Sequence, residues 1–350
     1  MKHFKPILLI PILAMFASCD VEFSPNAEWK NIPVVYCVLD QDDDTTYVRV
    51  QRCFLGDGDH TQYATMADSI YYPQGEISVL MEEWRMWSDE QGIPQRYGDS
   101  PRKIYNFTYT EIVNKEEGPF YNTMQPVFFC PTAGQLDTSY LYCLKVVDNN
   151  SGDTIAWAET TLIKGTMSLH KPNNVTLFQF GGTAGSKTCE ITWSALRNAR
   201  QYQPMIRFHY RDFIINRNNS PWDTTITPHH IDIPCNTVKS NMRNSSYTTY
   251  LDQNYFLSTI KNAIGNDTCN KNIIDTVDVF IYCCTEDLAA YIYAGNPAGA
   301  LSQEPFTYTN INGGLGVFAA RRHHISFRIG TPISAVSDYV KKLKELHVGF

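Results

Sequence analysis

The sequence lacks the short motifs that identify common enzymes. It contains no H-E-x-x-H zinc motif, no G-x-S-x-G nucleophile turn and no C-x-x-C pair, so no catalytic residue and no metal site is expected. Positive charge is also scarce, since 29 Lys and Arg are outnumbered by 36 Asp and Glu, giving a net charge of −7 at pH 7. Nucleic-acid binding needs a basic stripe, so nucleic acid is excluded as the expected partner. We expect no cofactor.

A long apolar run occurs only at the N-terminus. The first 20 residues, MKHFKPILLIPILAMFASCD, place Lys2 and Lys5 before an apolar run that ends at Phe16, followed by small residues and Cys19. A run of about 10 to 12 apolar residues is too short to span a bilayer, and the pattern is that of a secretory signal. The site resembles a bacterial lipobox, with Phe16 where Leu is usual. Residues 1–18 are thus predicted to be a lipoprotein signal peptide and residues 19–31 a tether; an ordinary signal with a chance cysteine is the alternative.

Lipidation of Cys19 would anchor the protein to the outer membrane. Each buried acyl methylene contributes about 0.8 kcal/mol, and two or more chains hold a protein stably. Asp20 and Glu22 follow the cysteine and resemble a sparse form of the surface-export signal of Bacteroidota lipoproteins. The expected location is therefore the outer membrane, with surface exposure favoured over the periplasm.

Short alternating apolar segments separated by turns dominate the remaining chain. About 330 residues suit two domains, and the hydrophobic content of 43% is enough for packed cores. Seven or so strands with no convincing helix predict an immunoglobulin-like β-sandwich over residues 32–165. The segments Gly56 to Gly75 and Ser88 to Lys103 are predicted to be loops that provide a contact surface for a ligand or partner. Ile104 to Val113 is predicted to be a single strand.

Residues 166–350 are predicted to form a second, less regular β domain. The Trp193 strand, followed by a polar turn and an alternating strand from Tyr202 to Tyr210, resembles a fibronectin type III domain. Helical spacing of apolar residues predicts helical insertions in LDQNYFLSTIKNAIG and EDLAAYIYAG, and a short C-terminal helix in SDYVKKLKELHV. The predicted fold class is therefore mainly β, with two sandwich domains.

Removing Cys19 from the ten cysteines leaves nine, an odd number. An exported location permits disulfides. Cys130 and Cys143 flank the turn-rich segment PTAGQLDTS and are the candidate pair for a disulfide across a hairpin, while burial as small apolar groups is the interpretation for most of the cysteines.

Two groups of carboxylates are candidates, one for a calcium site and one for a glycosidase pair. Asp40, Asp42 and Asp44 have the spacing that begins a calcium loop, but Thr45 replaces the required glycine, so a solvated hairpin turn is the preferred interpretation over a looser calcium site. Glu82 and Glu83 lie beside tryptophans, but adjacent strand residues point to opposite faces and cannot flank one glycosidic bond. Trp84 and Trp87 are therefore interpreted as packing residues in preference to a sugar platform.

Five copies of an Asp-Ser/Thr pair, followed by an aliphatic residue or Thr, resemble the O-glycosylation acceptor of exported Bacteroidota proteins. The acceptor residues would be Thr45, Ser69, Thr154, Thr224 and Thr276. Three of the five fall in stretches predicted to be loops, where a glycan is tolerated.

The glycine cluster in YTNINGGLGVFAAR could be a phosphate cradle, a hinge or a turn. A cradle needs a following helix, whereas VFAARRHHISFRI predicts a strand, so the glycines are interpreted as a turn that reverses the chain. The pattern resembles an uncharacterised family of Bacteroidota outer-membrane lipoproteins, as does the opening strand pair VVYCVLDQDDDTTYVRVQRCF. The C-terminal residues that carry the resemblance are Pro305, Asn310, Ile311, Gly313, Gly314, Gly316, Phe318 and Ala319.

The resemblance implies a lipid anchor and association with uptake or surface systems of the outer membrane, and it implies no reaction. The expected function is therefore a non-enzymatic lipid-anchored accessory protein. Its partner would be an outer-membrane β-barrel, or a glycan or peptide ligand. The alternatives are a structural subunit of a surface appendage, which would need a detachable terminal strand, and a carbohydrate-active or proteolytic enzyme, which would need two carboxylates in a deep cleft.

Intact-mass measurement on native protein tests the glycosylation hypothesis. We expect masses above that of the lipidated chain, in steps that fit one repeated glycan, because exposed acceptor hydroxyls would be modified after export. A spectrum with only the lipid modification would remove the idea.

Overall fold

The computed structural model describes most of the chain after the predicted signal and tether. The described residues are 30–54, 60–113, 118, 121, 123–173, 178, 180, 187–216, 223–241, 243–264, 271–295, 307–330 and 348–349. Cys19 lies outside this part, and so does the C-terminal helix predicted in residues 337–348, except for Val348. The fold is mainly β, with several sheets, and no helix in the described ranges is long and apolar enough to cross a membrane.

Eighteen strands and four helices are described. The strands of the first half are β1 (Pro33–Asp40), β2 (Thr45–Arg52), β3 (Ile77–Ser88), β4 (Pro94–Tyr97), β5 (Lys103–Asn106), β6 (Thr108–Ile112), β7 (Gln125–Pro131), β8 (Tyr140–Asp148) and β9 (Thr154–Thr161). Those of the second half are β10 (Leu169–Lys171), β11 (Thr188–Ser194), β12 (Gln201–Asn216), β13 (Asp223–Pro234), β14 (Val238–Lys239), β15 (Ser246–Asp252), β16 (Lys271–Cys284), β17 (Leu315–Gly330) and β18 (Val348–Gly349). The helices are α1 (His60–Ala64), α2 (Ala67–Ile70), α3 (Gln253–Ile264) and α4 (Glu286–Ala294).

A ten-stranded sheet runs through both halves of the protein. Its strand order is β13-β12-β16-β17-β1-β2-β7-β6, with β14 paired to β12 and β18 paired to β16. The centre of this sheet is β17, which changes partners along its length. Leu315 to Arg321 pair in parallel with β1, and Arg321 to Gly330 pair antiparallel with β16. One strand near the C-terminus therefore joins the two halves.

The first hydrophobic core lies between the ten-stranded sheet and a five-stranded sheet. The five-stranded sheet has the order β4-β3-β8-β9, with β5 also paired to β3. Alternation along β1 buries Val35, Cys37 and Leu39, and alternation along β8 buries Tyr142 and Leu144 in the same cluster. The two sheets thus share one interior, as expected when each has one apolar face.

Residues from the far end of the chain complete this first core. Ile311, Phe318 and Ala320 are buried in the same cluster as the side chains of β1. If the chain is divided into the two predicted domains, between residues 165 and 166, part of the first core belongs to the second domain. Sequence patterns do not reveal this because the two paired segments are far apart in the chain.

The second core lies between the other end of the ten-stranded sheet, a three-stranded sheet and α3. The three-stranded sheet has the order β10-β11-β15. Trp193 from β11 and Tyr202 from β12 are fully buried and their rings meet edge to face at 5.6 Å. Phe256 and Ile260 of α3 are also fully buried, one helical turn apart. The helices predicted near residues 253–264 and 286–294 are confirmed.

Three local predictions in the first half are wrong. Two short helices, α1 and α2, occur in the segment predicted to be a loop from Gly56 to Gly75. The predicted loop from Ser88 to Lys103 contains β4, which pairs with β3. The segment predicted as one strand from Ile104 to Val113 is divided at Phe107, because β5 pairs in the five-stranded sheet while β6 pairs with β7 in the ten-stranded sheet.

The predicted disulfide between Cys130 and Cys143 is also wrong in this structure, since both thiols are free and buried. Cys130 lies in β7 and points into the first core. Cys143 lies in β8 between Tyr142 and Leu144, which point into that core, so its side chain points to the opposite face and packs against Trp84. The two sulfurs are therefore on different sides of a sheet.

The glycine-rich turn before β17 is tightly enclosed. Asn310 closes it, donating from Nδ2 to the Phe318 carbonyl at 2.7 Å and accepting from the Phe318 amide at 3.0 Å. Gly313 and Gly316 have φ of +75° and +109°. A Cβ at Gly316 would lie 2.0 Å from the Val35 carbonyl oxygen. Glycine is therefore required both by the left-handed backbone and by the close approach of β1.

Replacing Gly316 with alanine tests this enclosure. We expect Gly316→Ala to reduce the free energy of unfolding by about 2 to 5 kcal/mol, because left-handed backbone costs about 1 to 2 kcal/mol and a steric clash adds about 1 to 3 kcal/mol. Urea unfolding measures the change.

Gly134→Ala is the matched control. Gly134 also has positive φ, at +62°, but a Cβ there meets nothing within 4 Å, so only the backbone cost of about 1 to 2 kcal/mol applies. Equal losses in the two variants would contradict the role assigned to the contact with β1.

Candidate functional site

A cleft of about 710 Å³ lies beside the place where the two halves meet. One wall is formed by residues 159–161 at the end of β9 and by residues 92–94 before β4. The other is formed by Asn198, Arg200, the start of α4 and Tyr308. Ligand sites are common where two structural units meet, and the volume is in the usual range for a small-molecule pocket. Throughout, "the cleft" means the space between these walls.

Hydrogen bonds hold two segments of the second wall, the start of α4 and the loop that contains Asn198, in place. The Thr285 amide, just before α4, donates to the Ala320 carbonyl at 2.9 Å, and the Thr285 hydroxyl lies 3.2 Å from the Ala320 amide. These contacts join the start of α4 to β17. Asn198, which has a positive φ of 66°, donates from Nδ2 to the Leu162 carbonyl at 3.0 Å. The loop before β12 is therefore attached to the chain that follows β9.

Three carboxylates line the cleft, and each has a hydrogen-bond or ionic partner. Glu159 pairs with Arg96, and Glu286 lies 3.5 Å from Arg200. The Tyr308 hydroxyl donates to Asp287. Hydroxyl groups of Thr160, Thr161 and Thr285 add further donors and acceptors, while Ile93, Pro94, Leu141 and Ala290 provide apolar surface. The cleft can therefore contact a ligand that has both hydroxyl groups and apolar faces.

The pKa of Asp287 is raised by burial of its carboxyl group. The Tyr308 hydroxyl lowers it in part, and nearby Glu286 raises it. The pKa of Tyr308 is raised as well, first by burial and then by its bond to Asp287, because an ionised phenol would face a carboxylate. The pair is thus most stable with the proton on Tyr308.

A second, more open groove of about 520 Å³ adjoins the cleft on the outer face of the five-stranded sheet. It is lined by Gln95, Arg96, Lys145, Thr154, Trp157 and Glu159. Glu159 lines both spaces, so they are neighbours. The Arg96 guanidinium lies 5.2 Å from the ring centre of Trp84 and 5.6 Å from that of Trp157. We call this surface the stacking face.

The adjacent acids of β3 point to opposite faces, as predicted. Glu82 accepts a hydrogen bond from Trp84 Nε1 at 2.8 Å and pairs with Lys145 at 2.5 Å on the outer face. Glu83 is fully buried and accepts from the Tyr105 hydroxyl at 2.9 Å. Trp84 is 8% exposed and packs against the sheet, whereas Trp87 is 52% exposed.

The acidic loop after β1 makes ion pairs with β17. Asp40 lies 3.4 Å from Arg321, and Asp42 lies 2.9 Å from Arg322. Asp40 is only 1% exposed, so the interpretation as a fully solvated turn is wrong for this residue. Within the described residues no group of three or more His, Cys, Asp or Glu is arranged to hold a metal ion. These acids instead fix the first hairpin to the central strand.

The five proposed glycan acceptors occupy different environments. Thr154 is exposed at the start of β9, and Thr45 is half-buried at the start of β2. Ser69 lies in α2 and Thr276 in the interior of β16, both half-buried, while Thr224 lies in β13. A glycan is most easily accommodated at Thr154, which also lines the open groove.

Comparisons with known proteins do not identify a family. No family model matches the chain, and no curated protein matches it. One solved structure that it resembles weakly is the C-terminal globular domain of an oligosaccharyltransferase from Pyrococcus abyssi, with 9% identity and a TM-score of 0.24. The match covers 72% of this chain and 46% of that chain, so less than half of that protein is spanned. The similarity is too low to transfer a fold or a function.

Sequence reasoning proposed one segment that lines both spaces, Ser88 to Lys103, and missed the other lining residues. Asp287 and Tyr308 come from segments that read only as a helix and a loop, and nothing in the sequence brings them near Glu159. One signal was present for Trp157: it alternates with the small, buried Ala156 and Ala158, which predicts that the indole points away from the core.

The pH dependence of stability tests the environment of Asp287. A carboxyl whose pKa is raised on folding contributes most to stability at low pH, and its contribution falls as the pH rises from near the ordinary pKa of 3.8 through the raised pKa. Relative to Asp287→Asn, which does not titrate, the wild-type protein should lose free energy of unfolding as the pH rises above about 4. Urea unfolding at several pH values measures the difference.

Glu190→Gln provides a control of opposite sign. A hydrogen bond from Lys171 lowers the pKa of Glu190, so the advantage of wild type over this variant should grow as the pH rises through the same acidic region. If the Asp287 difference is flat or follows the direction of Glu190, the environment assigned to Asp287 is wrong.

Proposed function

We propose that this protein is a non-enzymatic, lipid-anchored protein of the cell envelope that binds a polar ligand in the cleft. The observation that carries the proposal is the cleft itself, which combines three carboxylates, one arginine and several hydroxyl groups with apolar walls. One wall is fixed by hydrogen bonds from the Thr285 backbone amide and from the Asn198 side-chain amide. A site that is already ordered binds without the cost of ordering it.

The ligand is proposed to be neutral or weakly cationic and rich in hydroxyl groups. Carboxylates accept hydrogen bonds from hydroxyl donors, and the acids of the cleft outnumber its single lining arginine. Strong anions are disfavoured by the same charges. A glycan or a short peptide fits this chemistry, as does a polar segment of a partner protein.

A binding role is favoured over catalysis because two of the three carboxylates in the cleft are engaged in ion pairs. Glu159 is engaged by Arg96 and Glu286 by Arg200, whereas a hydrolytic pair needs one carboxylate available as an acid and another as a base or nucleophile.

Strand exchange in a surface appendage is disfavoured as well. Strand β1 pairs with β17 and β2, and β17 pairs first with β1 and then with β16 along its length, so neither is an easily detached strand.

The proposed setting is the outer membrane, with Cys19 as the lipidated residue and the body of the protein exposed at the surface. The basic start, short apolar run and small residues before Cys19 support it. An outer-membrane β-barrel partner is proposed from the family resemblance alone.

We further propose an immunoglobulin-like first unit and a fibronectin III-like second unit. The first is supported by two sheets sharing one core.

Filling the cleft tests the proposed function. Soluble oligosaccharides and short peptides would be screened by thermal shift against the folded protein that starts after residue 19. We expect at least one compound to raise the melting temperature, and Ala290→Trp to abolish that shift, because the indole would occupy the cleft.

Ile292→Trp is the matched control. It places the same side chain on the same helix at a position that is 50% exposed and outside the cleft lining, so binding should remain. Failure to find any compound whose binding depends on residue 290 would argue against a ligand-binding cleft.

A further inference from the structure

Trp157 exposes apolar surface where the fold has no need of it. Its side chain is 39% exposed, whereas its neighbours Ala156 and Ala158 are each 1% exposed and face the first core. Its backbone is held by a pair of hydrogen bonds to one residue, because its amide donates to the Asn312 carbonyl at 3.0 Å and its carbonyl accepts from the Asn312 amide at 2.8 Å. The glycine-rich turn that contains Asn312 therefore fixes the position of an exposed indole.

The side chains beneath the indole are fixed as well. The Arg96 guanidinium lies between Trp84 and Trp157, pairs with Glu159 and donates from Nη2 to Cys143 Sγ at 3.0 Å. Cys143 is fully buried, and burial raises the pKa of its thiol to about 11, so it remains a neutral packing group. The stacking face is therefore ordered before any ligand arrives, as a binding surface requires.

Charges on the stacking face neutralise one another. Arg96 pairs with Glu159, and Lys145 pairs with Glu82 at 2.5 Å. A ligand therefore needs no net charge, and the features left for it are the exposed indole and polar groups such as Gln95 and Thr154. An exposed indole with polar side chains around it can bind a molecule that has an apolar face and hydroxyl groups at its edges.

We propose that the stacking face is a carbohydrate subsite in which one pyranose ring of an oligosaccharide packs on Trp157. The proposal rests on the proposed function, since Glu159 lines both spaces and one chain can extend from Trp157 into the cleft. A β-linked chain of gluco-configured sugars is the expected class, because its equatorial substituents leave flat C–H faces for the indole.

A glycan is favoured over an added peptide strand. Addition of a strand needs unpaired backbone groups along a sheet edge. At Trp157 the edge of β9 is already occupied by Asn312, and the opposite edge strand, β4, has only four residues and begins with Pro94. A ligand that contacts side chains on the face fits better than one that continues the ladder.

Binding of defined hexasaccharides tests the proposal. The probes are cellohexaose and chitohexaose, which are β-linked, and maltohexaose, which is α-linked. Isothermal titration and quenching of tryptophan fluorescence are measured on the full mature chain. We expect a β-linked probe to bind, Trp157→Ala to weaken it at least tenfold, and Trp157→Phe to retain binding within about threefold while removing most of the quenching.

Trp87→Ala is the control, because Trp87 is 52% exposed but lies outside both lining sets. It should leave affinity unchanged, and urea midpoints show that each variant is folded. Weaker binding in Trp157→Ala and in Ala290→Trp supports both sites. Weaker binding only in Trp157→Ala supports the subsite and shows that the oligosaccharide does not extend into the cleft, whose function the peptide arm of the cleft screen then decides.

Two results overturn the subsite. If Ala290→Trp abolishes binding of a hexasaccharide but Trp157→Ala does not change it, the cleft binds ligand and the stacking face does not. If no hexasaccharide binds, or only maltohexaose binds, the carbohydrate subsite as proposed is wrong, while the peptide arm of the cleft screen still decides the proposed function.

Discussion

The parallel pairing of β17 with β1 is the constraint on which the rest of the structure depends. This contact brings Phe318 and Ala320 into the first core and leaves the second half of β17 free to pair with β16, so that one sheet serves two cores. The pairing is possible because Gly316 lets the two backbones approach more closely than any side chain permits. It also places Ala320 where Thr285 anchors the start of α4, which forms a wall of the cleft.

The cleft and the stacking face are linked by a chain of side chains. Arg96 contacts both exposed and buried tryptophans and pairs with Glu159, which lines both spaces. Because Asn312 fixes the backbone of Trp157, the turn that precedes β17 determines the geometry of both the central sheet and the surface beside the cleft. Stability and the proposed binding surface thus depend on the same short turn. Substitutions in this turn are therefore expected to change both the stability of the fold and the geometry of the binding surface.

The sequence predicts local structure well and long-range structure poorly, for physical reasons. Helix α3 was predictable because Phe256 and Ile260 repeat at helical spacing, and the strand after the glycines was predictable from its composition. The disulfide prediction failed because symmetry about a turn says nothing about side-chain direction, which differs between Cys130 and Cys143. The cleft could not be predicted, since its walls come from segments that become neighbours only after β17 joins the two halves.

The place of β17 near the end of the chain also sets the order of assembly. Strand β1 cannot gain its parallel partner until residues beyond Phe318 have been synthesised, and closing so long a loop is slow although its free-energy cost rises only with the logarithm of its length. The first core must remain open while most of the chain is being made. Until then, the apolar faces of β1 and β8 lack the Phe318 and Ala320 side chains that complete their shared core.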